Sequence, residues 1–246
     1  MIKSSNPALN ASIFNNEYAM TDSESMTIQG TVNKTAVLLL ILTIVASFTW
    51  NRYFLGYNVT GLMMMGGIFG LITAIITMFK KKIAHITAPA YVAFEGLFIG
   101  GLSATFEAMY PGIVIQAVGL TFSTLFCLLG AYKSGMIKVT ENFKLGVAAA
   151  TGGICLFYFA TFILSMFGMS MNIFHGSGLI SIGLSLVVVG IAALNLVMDF
   201  DFIEQGAENG APKYMEWYSA FGLMVTLIWL YIEILRLLAK LQSRRD

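Results

Sequence analysis

Between Lys34 and Lys240 the chain is almost continuously apolar, and its apolar stretches share one length. A hydrocarbon core of about 30 Å takes on the order of 20 helical residues at 1.5 Å each. Against that ruler the spans fall at Thr35–Phe54, Gly61–Phe79, Ala84–Thr105, Ile113–Tyr132, Leu145–Phe167, Gly178–Phe200 and Tyr218–Leu238. No fold in water could enclose so much apolar surface: 57% of residues are hydrophobic, 11% are charged, and the mean hydropathy is +0.79. The predicted class is an all-α membrane protein of seven transmembrane helices. It divides into a polar N-terminal tail (1–31), a membrane domain (32–241) and a short charged tail (242–246).

The breaks between spans carry turn or charge signals: Asn51-Arg52 with Tyr57-Asn58, Lys80-Lys81-Lys82, Tyr110-Pro111-Gly112, Lys133-Ser134-Gly135, Gly168 to Gly176, and Gly206 to Pro212. Connections this short demand one antiparallel bundle. Glycines inside the spans (Gly66-Gly67, Gly70, Gly96, Gly100-Gly101, Gly152-Gly153, Gly183, Gly190) read as places where helix backbones approach closely. Lys80 to Lys82, Lys133, Lys138, Lys144 and Lys213 fall in loops on the side of the N-terminus, where Lys3 and Lys34 also sit. The bias predicts a cytoplasmic N-terminus in an inner or plasma membrane. Seven crossings put the C-terminus opposite. Arg236, Lys240, Arg244 and Arg245 argue against that side, and a re-entrant last span would remove the conflict.

Several function classes drop out. A net charge of +1 with no basic face gives no footprint for nucleic acid. Cys127 and Cys155 stand in apolar runs and read as buried small hydrophobes rather than a disulfide or metal pair. The polar first thirty residues lack the apolar core of a removable signal peptide. A zinc hydrolase wants about three protein ligands, and the only histidines, His85 and His175, are predicted on opposite sides. Neither a GxSxG elbow nor a phosphate-cradling glycine loop occurs, so the chain reads as no enzyme, with no cofactor.

The charges left inside the spans are the informative residues, because an ionised group at bilayer depth costs several kcal/mol and must find a partner. Glu95 sits mid-span in AYVAFEGLFIGG with no basic residue within a turn. It either hydrogen-bonds across helices or exchanges a proton as a sensor or relay. Glu107, at the end of the same span, reads as an interface residue. In LNLVMDFDFIEQG, Asp199 and Asp201 point roughly 200° apart on a helix, while Asp201 and Glu204 share a face. Asp199 then faces the bundle core, and Asp201 and Glu204 the loop side. Acids at a helix C-terminus need compensation by a lysine, a cation or a proton. Asp199 and Asp201 are candidate calcium ligands, calcium being a hard cation that takes oxygen donors. Glu233 and Arg236, three apart, form a local ion pair or else put Glu233 on a pore. Trp217, Tyr218 and Tyr231 read as membrane-interface anchors.

Two long motifs carry a resemblance: AYVAFEGLFIGGLSATFEAMYPGIVIQAVGLTF, and IAALNLVMDFDFIEQGAENGAPKYMEWYSAFGLMVTLIWLYIEILRLL. With the N-terminal SSNPAL they resemble the Bax inhibitor-1 (transmembrane Bax inhibitor motif, TMBIM) family, more narrowly its bacterial YccA-like branch. The resemblance implies a last helix wrapped by the other six and a proton-sensitive leak of calcium ions. It also implies an aspartate ending helix six that shares a proton with one in helix seven, latched by an arginine at the end of helix two. Asp199 matches the first aspartate. Alignment on IEILR places Thr226 at the second, and Lys80 or a neighbouring lysine at the arginine. The pair is therefore not intact, and Asp201, Glu204 or Glu95 is the expected partner of Asp199, with Lys80, Thr226 and Arg236 as latch positions. The function so implied is a pH-sensitive cation leak gated by buried carboxylates, with lipid, calcium ions and protons as partners. The alternative is a non-conducting protein that modulates a membrane protease or stress pathway through a membrane-protein partner; in either case the chain is expected to be a monomer or weak oligomer.

Overall fold

A computed structural model describes residues 25–167 and 178–244. Its helices are α1 (Ile28–Phe54), α2 (Thr60–Phe79), α3 (Ala84–Met109), α4 (Ile113–Lys133), α5 (Glu141–Met166), α6 (Leu179–Glu208) and α7 (Met215–Gln242), with a 3-10 turn at Lys81–Ile83 before α3. All seven are long and apolar enough to cross a membrane, one for each expected span. The protein is an integral membrane protein. Helices outrun the apolar spans where polar residues begin them. Thr27 caps α1, its hydroxyl accepting from the Gly30 N–H at 2.9 Å, so α1 starts inside the expected 1–31 tail. Thr140 caps α5 in the same way at 3.2 Å. His175, SSNPAL, Lys3, Arg245 and the whole Gly168 to Gly176 break lie outside the described residues.

α7 is the enclosed helix: 67% of its apolar span is buried, against at most 39% for any other. Around it, α1, α3, α4 and α6 pack directly, while α2 lies on α3 and α5 on α6. Small residues make the closest approaches. A Cβ on Gly100 would stand 2.2 Å from the Ala46 carbonyl of α1, and one on Gly66 would stand 2.6 Å from the Phe94 carbonyl. Gly96 is equally tight against Val45. The same expectation fails for Gly152, Gly153, Gly183 and Gly190, where a Cβ would meet nothing within 4 Å. Those four lie on faces of α5 and α6 that no other helix covers. Cys127 and Cys155 are likewise exposed on α4 and α5 rather than buried; a small apolar residue meets lipid at no penalty.

One end of the bundle gathers the lysine-bearing connections. The Met26 N–H donates to the Ala211 carbonyl at 2.6 Å, and Ser25 bridges Pro212, which ties the segment before α1 to the α6–α7 connection. Lys81, just after α2, lies 5.7 Å from the Tyr218 ring on α7. Tyr132 and Lys144, at the end of α4 and the start of α5, reach acids on α6 at the same end. α6 stops there in a Schellman turn, with Gly210 at φ 65° and the Ala211 N–H returning to the Gly206 carbonyl at 3.0 Å.

Candidate functional site

Asp199 is completely buried, on α6 about 14 Å from that helix's C-terminal end at 1.5 Å per residue. Thr226, also buried, stands at comparable depth on the antiparallel α7, its hydroxyl 3.4 Å from the Gly222 carbonyl. The two positions that the resemblance pairs thus lie about 14 and 17 Å along two packed helices from the connection that joins them. A turn before Asp199, Asn195 donates to Thr151 Oγ1 on α5 and to the Ile191 carbonyl, both at 2.8 Å.

The expected substitutes for the missing aspartate each lead elsewhere. Asp201 turns away from Asp199 as the helical angle requires, and meets Lys144 of α5 at 3.2 Å and Gln205 Nε2 at 2.7 Å. The Lys144 side chain is only 4% exposed and also reaches Glu141 at 3.4 Å. A lysine is therefore the compensation that the acidic end of α6 required. Glu204 accepts a hydrogen bond from the Tyr132 hydroxyl of α4. Glu95, half-buried, lies against α2, where a Cβ on Gly70 would come within 3.1 Å of its Oε1. Among the described residues no group of three or more His, Cys, Asp or Glu side chains forms a metal cage.

Glu233 is buried near the opposite end of α7. Its Oε1 accepts from Tyr158 of α5 at 3.0 Å and from Arg236 at 3.3 Å, so the local ion pair is present and a second helix joins it. Lys240, two turns on from Glu233, donates to Ser185 Oγ at 2.7 Å. Of the latch positions, Arg236 is thus engaged on its own helix, Thr226 lies in the core, and Lys80 is exposed. It is Lys81 that faces α7. Glu107 caps α4, accepting from the Gly112 and Val114 N–H groups at 2.6 and 3.0 Å, a more definite task than an interface position. Tyr218 and Tyr231 are not interface anchors. Tyr218 is 1% exposed in the core, and the Tyr231 hydroxyl is 2.6 Å from Ser103 Oγ. Trp217 does sit at the lysine-bearing end, with Lys34 5.6 Å from its ring.

Sequence reasoning passed over Glu216, a carboxylate with four polar contacts. It is fully buried in the first turn of α7, paired with Lys34 and with Lys213 at 2.9 Å, and accepts from the Thr27 N–H and hydroxyl at 3.0 and 2.9 Å. A Cβ on Gly30 would fall 2.1 Å from its Oε1, so glycine leaves the room for it. The signal was an acid at a helix N-terminus three residues after a lysine.

The enclosed last helix is what the resemblance implied, and a family model described as Bax inhibitor 1 like matches residues 6–243. The chain belongs to the Bax inhibitor 1-like family. No curated protein and no solved structure gives a significant match. In this Bax inhibitor 1-like chain, α6 carries the buried Asp199, α7 the buried Thr226, and Lys81 lies against Tyr218 near the start of α7.

Proposed function

We propose that this Bax inhibitor 1-like protein lets cations, calcium foremost, leak across the membrane along α6 and α7, and that protonation of Asp199 opens the route. Asp199 carries the reading: a carboxyl with no solvent exposure, on a helix packed along the one that the rest of the bundle encloses. A group that expensive at bilayer depth is kept for a task. Further carboxylates lie on either side of it, Asp201 and Glu204 toward the lysine-bearing end and Glu233 toward the other. Their oxygens suit a hard cation passing through. With Asp201 held by Lys144, calcium is cargo rather than a resident ion. The gathering of lysines around the N-terminal segment supports a cytoplasmic location for that end, in an inner or plasma membrane, and an opposite location for the end of α7.

Purified protein in liposomes loaded with a calcium-sensitive dye tests this directly. Calcium uptake above that of empty liposomes, changing as the bath pH is stepped, is expected. Uptake equal to empty liposomes at every pH would remove the proposal.

A further inference from the structure

We propose that Glu95 is a second proton-binding site, apart from Asp199, whose carboxyl holds a proton at neutral pH in a seam that α2 closes. Glu95 stands about 17 Å from the start of α3 and about 21 Å from its end, at 1.5 Å per residue. That is close to the middle of a hydrocarbon layer about 30 Å thick. The backbone of α2 lies against the carboxyl: a Cβ on Gly70 would stand 3.1 Å from Oε1 and 3.4 Å from Cδ. One turn earlier on α2, a Cβ on Gly66 would stand 2.6 Å from the Phe94 carbonyl, so the seam has no room for a side chain between the helices.

No compensating charge reaches this carboxyl. Asp201, Glu204, Glu216 and Glu233 each have a lysine, arginine or tyrosine on them. Among the described residues Glu95 has neither a hydrogen-bond nor an ion-pair partner. α2 carries no ionisable side chain from Thr60 to Phe79, and Lys80 to Lys82 begin about 15 Å along the helix from Gly70. On α3 itself Tyr91, a buried phenol one turn away, is in electrostatic contact with Glu95. α1 keeps its charges at its ends, where Lys34 is paired with Glu216 and Arg52 stacks on Phe48. On α7, Tyr231 bonds Ser103 and Tyr218 lies under Lys81. α4 brings the exposed Cys127 and, in its last turn, Lys133 and Tyr132, the latter bonded to Glu204. An ionised Glu95 would stand unpaired at bilayer depth, where a charge costs most, and the carboxyl takes up a proton instead. The unfolded chain releases that proton in neutral water. Folding therefore takes it up, and the contribution of Glu95 to stability falls as the pH rises.

The test treats the full chain in liposomes, without calcium, with N,N′-dicyclohexylcarbodiimide, an apolar reagent for protonated carboxyls. The acid proton passes to a carbodiimide nitrogen as a carboxyl oxygen bonds to the central carbon. Migration of the acyl group from that oxygen to nitrogen leaves a stable N-acylurea. Mapped by mass spectrometry at neutral pH, the Glu95 peptide is expected to carry about ten-fold more adduct than peptides holding Glu216 or Glu233, and to lose it in alkali. Glu95→Gln, which mimics the neutral acid, should melt like wild type in acid and several degrees above it in alkali. Adduct on Glu95 in acid with none at neutral pH overturns the proposal. So does a melting difference between wild type and Glu95→Gln that stays constant with pH. The melting comparison decides if the reagent reaches Glu95 in neither bath, and the adduct decides if the variant does not fold. Neither readout uses ion flux, so the site stands or falls apart from the proposed leak.

Discussion

Lys144 and Asp201 show what a charge inside this bundle demands. Removing one member of a buried pair strands the other, at a typical cost of about 3–5 kcal/mol, whereas removing both can be nearly neutral. Asp201 retains some exposure, so Lys144→Met is expected to cost about 2–4 kcal/mol. Combining it with Asp201→Asn should restore most of the loss, read as melting temperature in detergent. Equal melting of Lys144→Met and wild type would show that the pair contributes nothing. At this scale the sequence was legible where both partners share one helix, as for Glu233 and Arg236. It was illegible where they are far apart in the chain. Nothing near Glu216 announces Lys34, which lies 182 residues away.

Elements were the easiest scale to read, because a helix that must cross a hydrocarbon layer of fixed thickness leaves its length in the hydropathy. What hydropathy does not carry is rotation. Gly100 and Gly190 look alike in sequence, yet a side chain on Gly100 would strike the Ala46 carbonyl, while Gly190 faces open space. Gly100→Leu should therefore part α1 from α3 and cost about 1–3 kcal/mol or more, as overpacking does. Gly190→Ala should be neutral or stabilise by about 0.5–1 kcal/mol through helix propensity. Thermal denaturation of the two variants separates them, and similar effects from both would contradict the helix faces described. Tyr218 was misread for the same reason: an aromatic near a helix end signals the interface only if it points outward, and this one points into the core.

For the whole molecule, the segment before α1 and the α6–α7 connection must lie at one end, since Ser25 bridges Pro212. Bridge partners approach to about 4.5–5.5 Å between Cα atoms, within disulfide range. In a chain with Cys127 and Cys155 replaced by serine, Ser25→Cys with Pro212→Cys should crosslink under mild oxidation and become refractory to maleimide. Free reaction of both thiols under those conditions would refute that arrangement. The same bundle encloses α7 and sets the buried Asp199 beside it, and the proposed gate rests on that placement. The most direct measurement is calcium flux against pH in liposomes holding either wild type or Asp199→Asn. Asparagine mimics the protonated carboxyl, so the variant should leak at neutral pH as fast as wild type does in acid, and acidification should add nothing. A variant whose flux still rises on acidification as wild type does would contradict Asp199 as the gate.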